Sequence, residues 1–84
     1  MVLQGWCVYL LRCGDDSLYC GSTNDLAKRL KSHQAGKGGR YTRAHLPVSL
    51  AYAEACLDRS GALKREAAIK RLDRAAKFAL FQAA

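Results

Sequence analysis

The chain has 84 residues, half of them hydrophobic, and carries 14 Lys and Arg against seven Asp and Glu for a net charge of +7. That length holds one domain, residues 1–84, around one modest core burying about 60 to 65% of the unfolded chain's surface, and the composition excludes disorder, collagen and a membrane span. The excess of positive charge attracts polyanions, which makes nucleic acid the leading partner class.

The first thirteen residues, MVLQGWCVYLLRC, are apolar but lack a basic start and a small-residue cleavage site. They fall short of the roughly 20 residues a membrane helix needs, so they read as a strand. Cys7, Cys13, Cys20 and Cys56 form no C-x-x-C pair and have no histidine at zinc spacing. Buried free thiols in a cytoplasmic protein without membrane contact are expected.

Residues 6–13 (WCVYLLRC) and 18–21 (LYCG) are rich in β-formers and flank GDDS, a hairpin pattern. Loop parity decides its chemistry. An odd connection, Gly14 to Asp16, sets Cys13 opposite Ser17 and brings Tyr9 and Tyr19 to one face, whereas an even one separates them. The odd loop needs a left-handed residue near its end, a conformation Asp16 adopts at lower cost than most.

After Gly21, STND offers several helix caps, and Leu26, Ala27 and Leu30 form an apolar stripe ending near Gly36, which predicts a helix over roughly 24–35. Arg29 and His33 are four apart, each three residues past a core leucine, so both border the buried stripe and can line a cleft. Residues 36–47, GKGGRYTRAHLP, are glycine-rich and basic and read as a mobile loop able to follow a phosphate backbone.

Residues 48–57 alternate, with Val48, Leu50, Tyr52, Glu54 and Cys56 on one face and Ser49, Ala51, Ala53 and Ala55 on the other, as in a third strand. Asp58 or Ser60 then starts a helix to about Leu72, and DRAAKFALFQ continues or restarts it with Phe78 and Phe81 as anchors. The order β-β-α-β-α-α is an α+β layout, a small three-stranded sheet flanked by helices. Within the second long helix, Ala62, Leu63 and Ile69 place Glu66 on the apolar side. A carboxylate there needs a basic neighbour, a position at the wet edge, or a metal ion.

These residues together carry a resemblance. CVY at 7–9 followed by YCG at 19–21 resembles the paired signatures of the GIY-YIG nuclease superfamily. The match continues through YCGSTNDLAKRLKSH, with arginine ten residues after the second tyrosine and histidine four beyond, and reaches Glu66. Length and the late REAAIKRL make the chain similar to the small stand-alone single-domain group of that superfamily.

The resemblance implies a metal-dependent endonuclease with the GIY-YIG fold. Tyr19 would activate or hold the attacking water with Tyr9 beside it, Arg29 would stabilise charge on the phosphate, and His33 would assist proton transfer or contact the phosphate. Glu66 would hold one divalent cation, Mg2+ or another such as Mn2+. Phosphodiester hydrolysis independently needs an oriented nucleophile and positive charge on the phosphate oxygens. Nucleic-acid contacts are expected from Lys28, Lys37, Arg40, Tyr41, Arg43 and Lys70. The first motif has Cys7 and Val8 where the family has Gly and Ile, and the second has Cys20 for Ile. The family's late active-site asparagine has no counterpart, since Asn24 is the only asparagine. No specificity insertion is present, so DNA would be selected by structure more than sequence, with RNA open as a substrate. The alternative is a non-catalytic nucleic-acid-binding module of the same fold.

Overall fold

In the computed structural model, which describes residues 4–82, β1 (Gln4–Arg12) and β2 (Leu18–Asp25) pair antiparallel with Arg12 opposite Leu18 and Tyr9 opposite Gly21. The loop is the odd one. Cys13 N–H donates to the Ser17 carbonyl at 2.9 Å, and Asp16 takes the left-handed φ of 70° that closes three residues. Asp15 supports the turn by accepting from the Ser17 N–H and hydroxyl. Because side chains alternate along a strand, this register puts Tyr9, Leu11 and Tyr19 on one face.

The helix α1 (Leu26–Gln34) follows β2 directly, Asp25 accepting from the Lys28 N–H at its start. Asp58 and Asp73 cap α3 (Arg59–Lys70) and α4 (Arg74–Ala79) in the same way. Each such cap is worth about 1 kcal/mol. Between α1 and β3 (Ser49–Ala55) the segment expected to be a mobile loop contains a one-turn helix, α2 (Arg40–Ala44). Its Arg43 N–H donates to the Gly39 carbonyl, and Thr42 is fully buried. Periodicity could not reveal five residues with a single buried side chain.

All three strands are antiparallel in the order β2-β1-β3. The central strand is buried on both faces. Cys7, Tyr9 and Leu11 pack with Leu26 and Val48 on the α1 side, while Val8 and Leu10 pack with Cys20, Ala62 and Ile69 on the α3 side. The strict alternation expected for 48–57 does not hold. The register slips where Leu10 pairs with Tyr52 but Leu11 with Leu50, so Ala51 and Tyr52 both join the α3-side core and Val48 joins the α1 side. Leu63 also leaves the apolar stripe assigned to it and is 48% exposed. Ala62 and Ile69 form the buried line of α3, with Glu66 between them at its border.

Candidate active site

Three elements meet at Tyr9. Its ring lies across the α-carbon of Gly21, the residue opposite it on β2. A Cβ at Gly21 would come within 2.5 Å of the Tyr9 hydroxyl oxygen. Beyond that glycine, Tyr9 Oη is 3.0 Å from His33 Nε2, the histidine having come from the last turn of α1. A second glycine makes room for the imidazole, because a Cβ at Gly38 would stand 2.5 Å from His33 Nδ1. The other ring nitrogen, Nδ1, is 2.7 Å from Thr42 Oγ1 of α2. His33 therefore does not line an open cleft; it is 0% exposed, with both nitrogens engaged. Direct contact with a phosphate, one of its two expected roles, is blocked by this burial.

Tyr19 stands over the same histidine, ring centroids 5.2 Å apart, and stacks on its other side with Tyr41 at 6.1 Å. Tyr41 in turn stacks on His45 at 4.3 Å and donates its hydroxyl to Ser17 Oγ. A row of rings thus runs from the buried Tyr9 and His33 to the exposed Tyr41, which is 42% exposed. Arg29, one turn before His33 on α1, is exposed and joins none of the ion pairs among the described residues. With Lys28 and Ser32 it lines a surface depression.

The charges sort accordingly. Burial, helped by the neighbouring Tyr19 phenol, raises the Tyr9 pKa above that of an ordinary phenol, Arg29 opposing the shift. Burial, with the Arg29 charge adding to it, lowers the His33 pKa. Tyr9 is thus a neutral phenol and His33 a neutral imidazole at neutral pH.

Glu66 comes from the other side of the sheet, since α3 packs on the face away from α1. It sits beside the edge strand β2, where Oε1 accepts from the Ser22 hydroxyl at 2.6 Å and Oε2 pairs with Lys70 Nζ at 2.7 Å. Burial pushes its carboxyl pKa up, but the Lys70 and Ser22 hydrogen bonds outweigh this and hold it below the usual value. Its charge is felt at both Tyr9 and Cys20, and burial together with that charge pushes the Cys20 thiol up to about 11. The basic neighbour that sequence reasoning allowed for Glu66 is thus Lys70, one helical turn on.

The expected nucleic-acid contacts divide into three groups, of which Lys28 beside Arg29 is the first. Lys37, Arg40 and Arg43 line a depression with Gly36 and Gly39 beside α2. Tyr41 and Lys70 share a groove across β2 with Leu18, Tyr19, Cys20 and Lys77. Sequence reasoning did not single out Ser22, Thr42 or Lys77. Ser22 alone had a legible signal, since its strand position sets it on the α3 face, opposite Val8.

A model of the GIY-YIG catalytic domain matches residues 5–79. The chain is 53% identical over 72 residues to a UPF0213 protein of Streptococcus sanguinis, covering 86% of this chain and 83% of that one. It is 47% identical over 81 residues to a UPF0213 protein of Xanthomonas axonopodis pv. citri, covering 96% and 79%. The solution NMR structure of a UPF0213 protein from Bacillus halodurans superposes with a TM-score of 0.54 at 39% identity, covering 86% and 77% of the two chains. A solution NMR structure from E. faecalis does so with 0.61 at 38%, covering 92% and 82%. Motif, fold and relatives agree, and this chain belongs to the GIY-YIG family.

Proposed function

We propose that the protein is an endonuclease that hydrolyses phosphodiester bonds in DNA with the help of a divalent cation, Mg2+ or Mn2+, and selects its substrate by structure more than by sequence. One observation carries this reading. Tyr9, Tyr19 and His33 converge beside the Arg29 guanidinium, which has no ion-pair partner among the described residues, and within the field of the half-buried Glu66 carboxylate.

Among the described residues no three His, Cys, Asp or Glu side chains cluster as a metal cage. A magnesium ion that takes one carboxylate from the protein and its other ligands from water and phosphate needs none. Glu66 already pairs with one cation, the Lys70 ammonium, so the residues fit, and Glu66 would be the carboxylate that holds the ion. When bound, such an ion neutralises charge on the phosphate oxygens.

The chain's own residues supply the rest. Arg29 reaches the phosphate and stabilises the charge that grows in the transition state. Tyr19, at the border of the open groove, orients the attacking water. As that water's oxygen bonds to phosphorus, its proton passes to Tyr9 Oη while the Tyr9 proton moves to His33 Nε2. The P–O bond to the leaving oxygen breaks, and that oxygen takes a proton from solvent. The hydrogen bond from Tyr9 to a neutral imidazole favours Tyr9 over Tyr19 as the first proton acceptor, leaving Tyr19 to hold the water. Lys28, Lys37, Arg40 and Arg43 hold the flanking phosphates. Among the described residues no helix is long and apolar enough to cross a membrane, and the four free thiols suit a reducing cytoplasm.

The test is single-turnover cleavage of labelled single-stranded, duplex and branched DNA, and of an RNA strand, with and without magnesium, beside Glu66→Ala. Cleavage that needs magnesium and Glu66 is expected, with affinity in calcium retained in Glu66→Ala. A wild type that binds DNA but cleaves none of these substrates, with Glu66→Ala binding identically, would assign the fold to binding alone.

A further inference from the structure

We infer that Thr42, on the one-turn helix α2, is a positioning residue for this reaction: its hydroxyl holds His33 in the tautomer whose Nε2 is free to accept the Tyr9 proton. The inference rests on the nuclease reading above, and the geometry that carries it is separate. His33 has two polar neighbours and no water-facing edge: Tyr9 Oη at 3.0 Å from Nε2 and Thr42 Oγ1 at 2.7 Å from Nδ1. A neutral imidazole has one proton, so one nitrogen donates and the other accepts.

Two hydroxyl protons decide which. Thr42 Oγ1 is also 3.4 Å from the Gly39 carbonyl, which can only accept, so the Thr42 proton has an acceptor when its oxygen accepts from Nδ1–H. Nε2 is then bare and takes the proton of Tyr9. In the reverse arrangement Thr42 would donate to Nδ1 and Nε2–H would donate to Tyr9 Oη. The Tyr9 proton, on a residue 2% exposed whose one hydrogen-bond partner among the described residues is His33, would then be buried without an acceptor. A buried donor left unpaired costs about 1 to 3 kcal/mol, which selects the first arrangement. The chain runs in one direction, Tyr9 O–H to Nε2, Nδ1–H to Thr42, Thr42 O–H to Gly39.

Local backbone chemistry puts Thr42 in place. Gly36, with φ of 78°, turns the chain at the end of α1, and Gly38 lets it pass against the imidazole where any side chain would collide. Arg40 and Arg43 flank Thr42 on the same short helix and face solvent, so the segment that meets phosphates on its outside orients the histidine on its inside.

The experiment reads the tautomer directly, by long-range 15N–1H correlation of the His33 ring in the wild-type protein, and then compares Thr42→Val and Thr42→Ser. The Nδ1–H tautomer is expected in wild type and in Thr42→Ser. Thr42→Val keeps the shape but removes the acceptor for Nδ1–H and the bond to Gly39, so the Nδ1–H tautomer loses support and the Nε2–H form should gain population. Its kcat should fall on the order of 100-fold with KM within about twofold, as expected when a general base is held in the wrong tautomer, and Thr42→Ser should recover most of the rate. An Nε2–H tautomer in an active wild type overturns the assignment without any variant, as does a folded Thr42→Val that keeps the wild-type rate. A wild type that cleaves nothing overturns the nuclease reading and Thr42's part in the rate with it, while the ring spectrum still decides the hydrogen bond.

Discussion

Gly21 has an ordinary strand conformation rather than a positive φ, so its need for hydrogen in place of a side chain comes from the tyrosine lying over it. In Gly21→Ala the new methyl would meet Tyr9 Oη at 2.5 Å and Cζ at 2.6 Å, where ordinary contact begins near 3.4 Å. The ring must then retreat by about 1 Å into a packed core, an overpacking that costs about 1 to 3 kcal/mol. The retreat takes Oη out of line with His33 Nε2 and loses a buried hydrogen bond worth about 1 kcal/mol. Stiffening the unfolded chain returns about 0.5 to 1 kcal/mol. The net loss of about 2 kcal/mol should appear in urea unfolding, with Tm lower by about 10 °C for a domain of this size. Catalysis should suffer more than folding, since a displacement of about 1 Å in a proton-transfer group costs on the order of 100-fold in rate. Single-turnover cleavage measured well below the variant's Tm separates the two effects. A Gly21→Ala protein within about 0.5 kcal/mol of wild type that also keeps its cleavage rate would refute the contact argued between Tyr9 and this strand.

The other expectations concern charge. Reversing Arg40 and Arg43 to Glu should weaken DNA binding and reduce the log-log salt slope by about one unit for each phosphate that is no longer neutralised; an unchanged slope would remove α2 from the interface. The lowered His33 pKa means the folded state favours the neutral ring, so stability should be full above the ordinary histidine value of about 6.5 and fall as pH drops through the lowered folded value. Cleavage should fall in the same direction, because a protonated Nε2 accepts nothing; urea unfolding against pH, with His33→Gln as the flat control, checks the sign. Lys70→Met should lower the magnesium concentration giving half-maximal rate, because the ammonium no longer competes for Glu66 Oε2. A magnesium titration unchanged from wild type would mean that ion and lysine do not share the carboxylate.

Local patterns in the sequence were enough for the hairpin, the approximate helix starts and the α+β order, while they left the loop parity and the choice of capping residue open between alternatives that the fold settles locally. Each depends on residues within a turn or two of one another: Asp16 tolerates a left-handed φ, Asp25, Asp58 and Asp73 supply side-chain acceptors, and strand parity then carries Tyr9 and Tyr19 to one face whatever else the chain does. Spacing along one helix likewise put Arg29 and His33 a turn apart. Only the tertiary structure decided what those residues touch. The slip in β3 depends on how Leu10 and Leu11 meet a strand far along the chain, so alternation read from 48–57 alone could not contain it. The burial of His33 comes from Gly38 and Thr42 closing over it, and no periodicity announces a single buried threonine in a glycine-rich basic segment. Glu66 showed itself in sequence as a carboxylate on an apolar stripe, but that it stands on the opposite face, beside an edge strand and held by Ser22 and Lys70, follows from packing. Backbone preferences and side-chain periods act over a few residues, whereas hydrogen-bond partners of buried groups are chosen by whichever distant segments exclude water from them.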